Sequence, residues 1–203
     1  MTGPSPLPAV TGIVLAGGRS RRFGRDKMRE RVGDTTLLRR AIDALATVTT
    51  EVVVVTLPDA HLDLPDGVRV ARDTRAFEGP LAGCLAGLMV AGEPLVLVVG
   101  GDMPTLQPSV LELLIRVLAS TMADACVLEQ QGVRRPLPMA LRTGAGTDLV
   151  GRLVAERERR LGAILDRLHV RTLGEGEWRP LDPDAATLRD VDTPGDLSGL
   201  DPR

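Results

Sequence analysis

Three short, almost wholly apolar runs constrain this chain more than any other feature: TGIVLA at 11–16, VVVVT at 52–56 and LVLVVG at 95–100. None shows the alternation of a strand with one wet face, so each predicts a strand buried on both sides. Helical patterns fall between and after them. Asp34 can cap a helix with Leu37, Leu38, Ala41, Ile42, Leu45 and Val48 at helical spacing. Pro80 opens LAGCLAGLMVAG, with Gly92 as its stop, and Pro108 opens a helix bearing Val110, Leu111, Leu114, Ile115 and Leu118 on one face. Weaker patterns predict strands at 68–71, at 123–129 and 137–141 around a turn at Gly132, and at 169–173. They also predict helices over 147–156 and 161–168, a glycine-rich loop at 174–177 and a last short helix after Asp192-Thr193-Pro194. Alternating strands and helices of this kind predict a Rossmann-like α/β fold: one domain of three layers, α/β/α, with a mainly parallel sheet. Residues 1–9, with three prolines, read as a flexible tail, and 10–203 as the domain.

Sheets of this type bind ligands at the carboxyl ends of their strands. The residues to inspect are therefore Gly17-Gly18, Asp73, Asp102, and Asp190 with Asp192 near the end of the chain. The first is followed by an unusual segment, LAGGRSRRFGRDK at 15–27, and six basic residues fall between Arg19 and Arg29. Adjacent glycines allow positive φ and a nest of backbone N–H groups, while arginines and Lys27 add forked and point charges suited to phosphate oxygens. The spacing is neither G-x-G-x-x-G nor a Walker A loop. Net charge is only −2, so the basic cluster is local and built for a small anion, not a nucleic acid. With two Phe, one Trp and no Tyr, stacking platforms for single strands are lacking. Cys84 and Cys126 read as buried thiols of a reducing compartment. No apolar run approaches the ~20 residues of a membrane span, and a cytoplasmic protein with no membrane partner is expected.

The acids supply the complementary chemistry. Asp102, in VLVVGGDMP, stands at the end of the strongest strand, where a carboxylate can hold Mg²⁺ against a nucleotide phosphate. The alternative is a turn-forming aspartate. Asp73 could hydrogen-bond a ribose or orient a metal-bound water, or pair with Arg72 or Arg75. Gly79 and Gly83, in GPLAG, let a helix N-terminus approach a ligand or pack tightly on the sheet. Asp190 and Asp192 share a side if their segment is extended. Asp192 could complete a metal site or simply cap the helix after it. No Ser/His/Asp or Cys/His grouping argues for a covalent nucleophile.

Together these residues resemble a known family. LAGGRSRRFGRDK is similar to the signature loop, LAGG-x-S-x-R-x-G-x-D-K, of nucleotidyltransferases related to molybdenum cofactor guanylyltransferase. D-x₅-GPLAG at 73–83, GDMP at 101–104, PLPMAL at 136–141 and DVDTPGDL at 190–197 agree in order. The resemblance spans about residues 11–198. It implies the fold of nucleotide-diphospho-sugar transferases, with a nucleotide-binding half at about 10–106 and an acceptor half at about 107–203. It also implies transfer of GMP from GTP to the phosphate of molybdopterin, with Mg²⁺ or Mn²⁺ as cofactor. Leu15, Ala16, Gly17, Gly18, Arg22, Lys27, Asp73, Gly79, Gly83 and Asp102 would bind nucleotide. Lys27, Asp102 and Arg19 would be catalytic, and Asp102 and Asp192 would take the metal. Other cofactor-biosynthesis proteins or a molybdoenzyme would be partners.

The Gly17-Gly18 pair favours guanine, since the related cytidylyltransferases tend to carry alanine there. Two departures stand out. Asp190 and Asp192 replace the asparagines of N-x-N-T-P, and Gly101 replaces a frequent Cys. The alternatives are a cytidylyl transfer to the same cofactor, guanylyl transfer to 2-phospholactate, a sugar-phosphate acceptor, or an adaptor that binds nucleotide without catalysis.

Overall fold

A computed structural model describes residues 6–17, 27–73 and 79–199. Strand β1 (Val10–Leu15) lies inside a seven-stranded sheet, parallel to β4 (Glu51–Thr56) on one side and to β6 (Leu95–Gly100) on the other. Beyond β4 lies β5 (Arg69–Arg72). Beyond β6 come β8 (Val133–Arg142), β7 (Ala125–Gln130) and β9 (Val170–Leu173), giving the order β5-β4-β1-β6-β8-β7-β9. Only β8 opposes its neighbours. A separate hairpin pairs β2 (Arg31–Val32) with β3 (Thr35–Thr36).

The continuous apolar strands are explained by cover on both faces. Val52 and Val54 of β4, with Leu95, Leu97 and Val99 of β6, enter the cluster under α1 (Leu37–Ala46) and α3 (Pro108–Ser120). Val53 and Val55, with Val96 and Val98, enter the opposite cluster under α2 (Pro80–Val90), α4 (Thr143–Ala155) and the single turn α5 (Gly162–Leu165). Small residues let α2 approach: a Cβ on Gly87 would stand 2.7 Å from Ile13 Cγ2. Cys84 and Cys126 are buried free thiols, and burial pushes both up to about 12, so neither ionises readily. No described helix is long and apolar enough to cross a membrane.

Several expectations change in detail. Asp34 does not cap α1; it sits in the β2–β3 turn, and Thr36 Oγ1 accepts the Arg39 N–H at 3.2 Å instead. The segment 174–177 is not an open loop: Glu175–Trp178 forms a short helix, α6, because Trp178 is fully buried and its indole N–H donates 3.0 Å to Glu129 O. The predicted helix at 147–156 begins earlier, at Thr143, and the one at 161–168 shrinks to four residues. Leu7, within the expected tail, packs against the first cluster.

The amino ends of the central strands close on one half-buried acid, Glu51. Glu51 Oε1 accepts from Thr11 Oγ1 at 2.6 Å and from the Gly92 N–H at 2.8 Å, and Oε2 accepts from Arg69 at 2.7 Å. Burial alone would raise the Glu51 carboxyl. The hydrogen bonds from Thr11, Arg69 and Gly92, with the Arg69 charge, outweigh it and hold the group below its ordinary value. A depressed carboxylate stabilises the fold above its unfolded value of about 4.3, and that stability is lost as pH falls through the folded value. Glu51→Gln is therefore expected to lower stability at pH 7 and to flatten its decline below about pH 5, measured as urea midpoints across a pH series.

Candidate active site

The carboxyl ends of β1 and β6 are tied together by backbone. The Gly101 N–H donates 3.0 Å to Leu15 O, and the Ala16 N–H donates 2.8 Å to Val55 O. Leu15, Ala16 and Gly17 thus sit at a fixed edge beside the turn that carries Asp102. A Cβ at Gly100 would displace the Asp102 carboxylate, which is folded back over the strand end.

Lys27 reaches this edge from a short 3-10 helix, Lys27–Arg29, anchored by buried Met28. The Met28 sulfur fills the space above Gly101, where a Cβ would stand only 2.8 Å from it. The Lys27 ammonium donates 2.6 Å to Asp102 Oδ2 and 3.2 Å to Val191 O, and lies 3.6 Å from Asp192 Oδ1. Lys27 and Asp102 are only 15% and 26% exposed, so their attraction is less screened than that of a surface pair. Asp192, at 52%, is on the rim.

The late segment is strapped under the same turn. Buried Asp182 accepts the N–H groups of Ala186 and Thr187 at 2.9 and 2.8 Å. Thr187 Oγ1 accepts the Gln107 N–H at 3.1 Å, Thr105 Oγ1 donates 2.7 Å to Ala186 O, and the Val191 N–H donates 2.9 Å to Asp102 O. Val191 is buried against Val32 and Leu37, leaving Asp190 and Asp192 exposed on either side of it. Asp196 Oδ2 accepts the N–H groups of Asp192 and Thr193 and the Thr193 hydroxyl. Those bonds hold the Asp196 carboxyl below its usual value. Beside Asp190 a cavity of about 460 Å³ opens, lined by Pro104, Gln130, Leu188, Arg189 and Val191 among others.

Asp73 lies on the other side of β1, at the end of β5. It is buried, and its N–H donates 2.9 Å to Thr56 O. Its carboxylate, Leu15 and Val55 all border Gly83 of α2, within 3.6–4.0 Å of where a Cβ would stand. Arg72 does not pair with Asp73; it donates to Leu57 O and Ala60 O. Gly79 has φ +103 and ψ 173, a region open only to glycine, and a Cβ there would stand 2.8 Å from Arg159 Cβ.

The structure thus brings Lys27, Asp102 and Asp192 together, and groups Leu15, Asp73 and Gly83 across β1 from them. The expectations on Gly18, Arg19, Arg22 and Arg75 lie outside the described residues. Sequence reasoning missed Met28 and Arg159. Met28 carried a weak signal, an isolated apolar residue inside a basic run. Arg159 carried none, because its contact is made by backbone and Cβ. Among the described residues no group of three or more His, Cys, Asp or Glu could enclose a metal. Asp102 and Asp192 converge on one ammonium, a donor set that fits a cation needing one or two carboxylates plus phosphate oxygens.

Gly17, Lys27 and Asp102 lie at the carboxyl edge of a doubly covered sheet, the edge at which α/β proteins of this kind bind ligands. The chain belongs to the family of the MobA-like NTP transferase domain, which matches residues 12–172. It is 37% identical over 196 residues to a probable molybdenum cofactor guanylyltransferase of Chloroflexus aggregans, covering 93% of this chain and 91% of that one. It is 32% identical over 193 residues to a molybdenum cofactor guanylyltransferase of Desulfosudis oleivorans, covering 94% of each. The fold matches the crystal structure of molybdopterin-guanine dinucleotide biosynthesis protein A from Archaeoglobus fulgidus, with a TM-score of 0.78 at 22% identity over 94% of this chain and 96% of that one. It also matches 2-C-methyl-D-erythritol 4-phosphate cytidylyltransferase from Thermus thermophilus, with a TM-score of 0.70 at 16% identity over 93% and 95%.

Gly79→Ala should destabilise the protein by about 1–3 kcal/mol from backbone strain alone. The contact with Arg159 adds to this, and a urea midpoint shift would measure both.

Proposed function

We propose that this chain transfers GMP from GTP to the phosphate of Mo-molybdopterin. The observation that carries the proposal is the shielded Lys27–Asp102 pair, fixed to the end of β1 by the Gly101–Leu15 backbone bond. The guanylyltransferase names of relatives at 37% and 32% identity over more than nine-tenths of the chain support the choice of base and acceptor.

The reaction needs no strong general base, because a phosphate monoester is already anionic at neutral pH. An acceptor oxygen forms the new bond to the α-phosphorus of GTP. The bond from that phosphorus to the bridging oxygen breaks, and pyrophosphate leaves with the electron pair. The difficulty is to bring two anions together in line and to stabilise the leaving group. Backbone N–H groups of the glycine turn, with Lys27, Arg19 and Arg22, would neutralise the β- and γ-phosphates. Leu15, Ala16, Asp73, Gly79 and Gly83 would hold the nucleoside against β1 and α2. Asp102 and Asp192 would hold Mg²⁺, or Mn²⁺ in its place, which when bound supplies positive charge to the triphosphate. Asp190 and the cavity beside it would receive the acceptor. A molybdoenzyme or another cofactor-biosynthesis protein would take the product.

The test combines binding and turnover. GTP with Mg²⁺ should raise the unfolding temperature of the wild-type protein, where CTP and ATP should not. A ligand at about 100 times its Kd adds about 2.7 kcal/mol, enough to be seen. Lys27→Met and Asp102→Asn should each reduce pyrophosphate release with molybdopterin at least about a hundredfold. A shift with CTP alone would move the chain to cytidylyl transfer. Near-normal turnover in both variants would end the assignment.

A further inference from the structure

Lys27 is the one lysine among the 25 lysine and arginine residues of the chain. Every other such cation is a guanidinium, a rigid planar fork, whereas an ammonium is a compact point charge on a flexible stem. Its surroundings are those of a small cation among oxygens. The Lys27 ammonium donates 2.6 Å to Asp102 Oδ2 and 3.2 Å to Val191 O, and lies 3.6 Å from Asp192 Oδ1. The two carboxylates that fit a divalent cation therefore already share a positive charge.

Both cations cannot be held at once in this arrangement. Mg²⁺ takes carboxylate oxygens at about 2.0–2.1 Å. An ammonium 2.6 Å from Asp102 Oδ2 stands in that space, and its charge repels a second cation. Among the described residues no third His, Cys, Asp or Glu joins the pair to favour metal over the ammonium. A triphosphate changes the balance, because its oxygens give the ammonium new acceptors and its charge attracts the divalent cation. The lysine stem can swing towards them without moving its support. Met28, not Lys27, is the buried residue of the 3-10 turn, and its sulfur fills the space above Gly101.

We propose that the Lys27 ammonium holds the place of the divalent cation until a triphosphate draws it away, so that Asp102 and Asp192 accept metal only together with nucleotide. The inference rests on the nucleotide and metal roles proposed above, and it makes the two ligands mutually dependent. The test needs no turnover. Mn²⁺ is titrated into nucleotide-free protein and its free signal followed by electron paramagnetic resonance. Lys27→Met and Lys27→Gln, both neutral, should each bind Mn²⁺ at least about tenfold more tightly than the wild type. Adding Asp102→Asn to Lys27→Met should abolish the gain. A second arm uses the single lysine as a reporter: protein grown on ¹³C-lysine gives one Cε signal, and inorganic triphosphate without metal should shift it. If GTP fails to raise the unfolding temperature of the wild type while both arms succeed, the guanylyl reading fails and the exchange stands. If GTP is bound and turned over but Mn²⁺ affinity is equal in the wild type and the neutral variants, the exchange is overturned and the guanylyl reading stands. A gain that survives Asp102→Asn, or a Lys27 signal unmoved by saturating triphosphate, would also overturn it.

Discussion

The central strands are dry on both faces, and most of the molecule follows from that constraint. β1, β4 and β6 carry apolar side chains into two opposing clusters, so polar chemistry cannot sit within the sheet and is driven to its two edges. At the amino edge, fully buried Thr11 is satisfied by Glu51, which also binds the Gly92 N–H and Arg69. At the carboxyl edge, strand ends are stitched by Gly101 to Leu15 and by Ala16 to Val55. One edge is closed by its own hydrogen bonds. The other gathers Gly17, Asp102, Asp192 and Lys27.

The carboxyl edge is organised about a single ammonium. Lys27 and Asp102 are distant in sequence, yet their 2.6 Å contact joins the basic loop to the strongest strand, and Val191 O adds the late segment to the same point. Three stretches of chain therefore meet at one charge. The straps beneath it, from Asp182 through Thr187 to Gln107, are neutral or fully paired and stiffen the turn without competing for that charge. Such rigid support limits the reorganisation that a charged transition state would otherwise require.

The strands and their burial were legible because period and length speak directly of two-sided cover, and Pro80 and Pro108 marked their helix starts unambiguously. Thr36 displaced Asp34 as a cap because the β2–β3 hairpin, only two residues per strand, left no periodic trace. Trp178 turned an apparent glycine loop into a helix through a single long-range burial. At the site, Lys27, Asp102 and Asp192 were readable from their positions after strands. Contacts made by backbone or by one Cβ, such as Arg159 against Gly79, leave no signature in residue type.

The packing of Met28 over Gly101 has an evolutionary corollary. The space at the end of β6 admits a long side chain from position 28 or a Cβ at position 101, but not both without one retreating. Met28 also anchors the turn that presents Lys27. The two positions are therefore coupled: a larger residue at 101 would require the side chain at 28 to shift or to shrink.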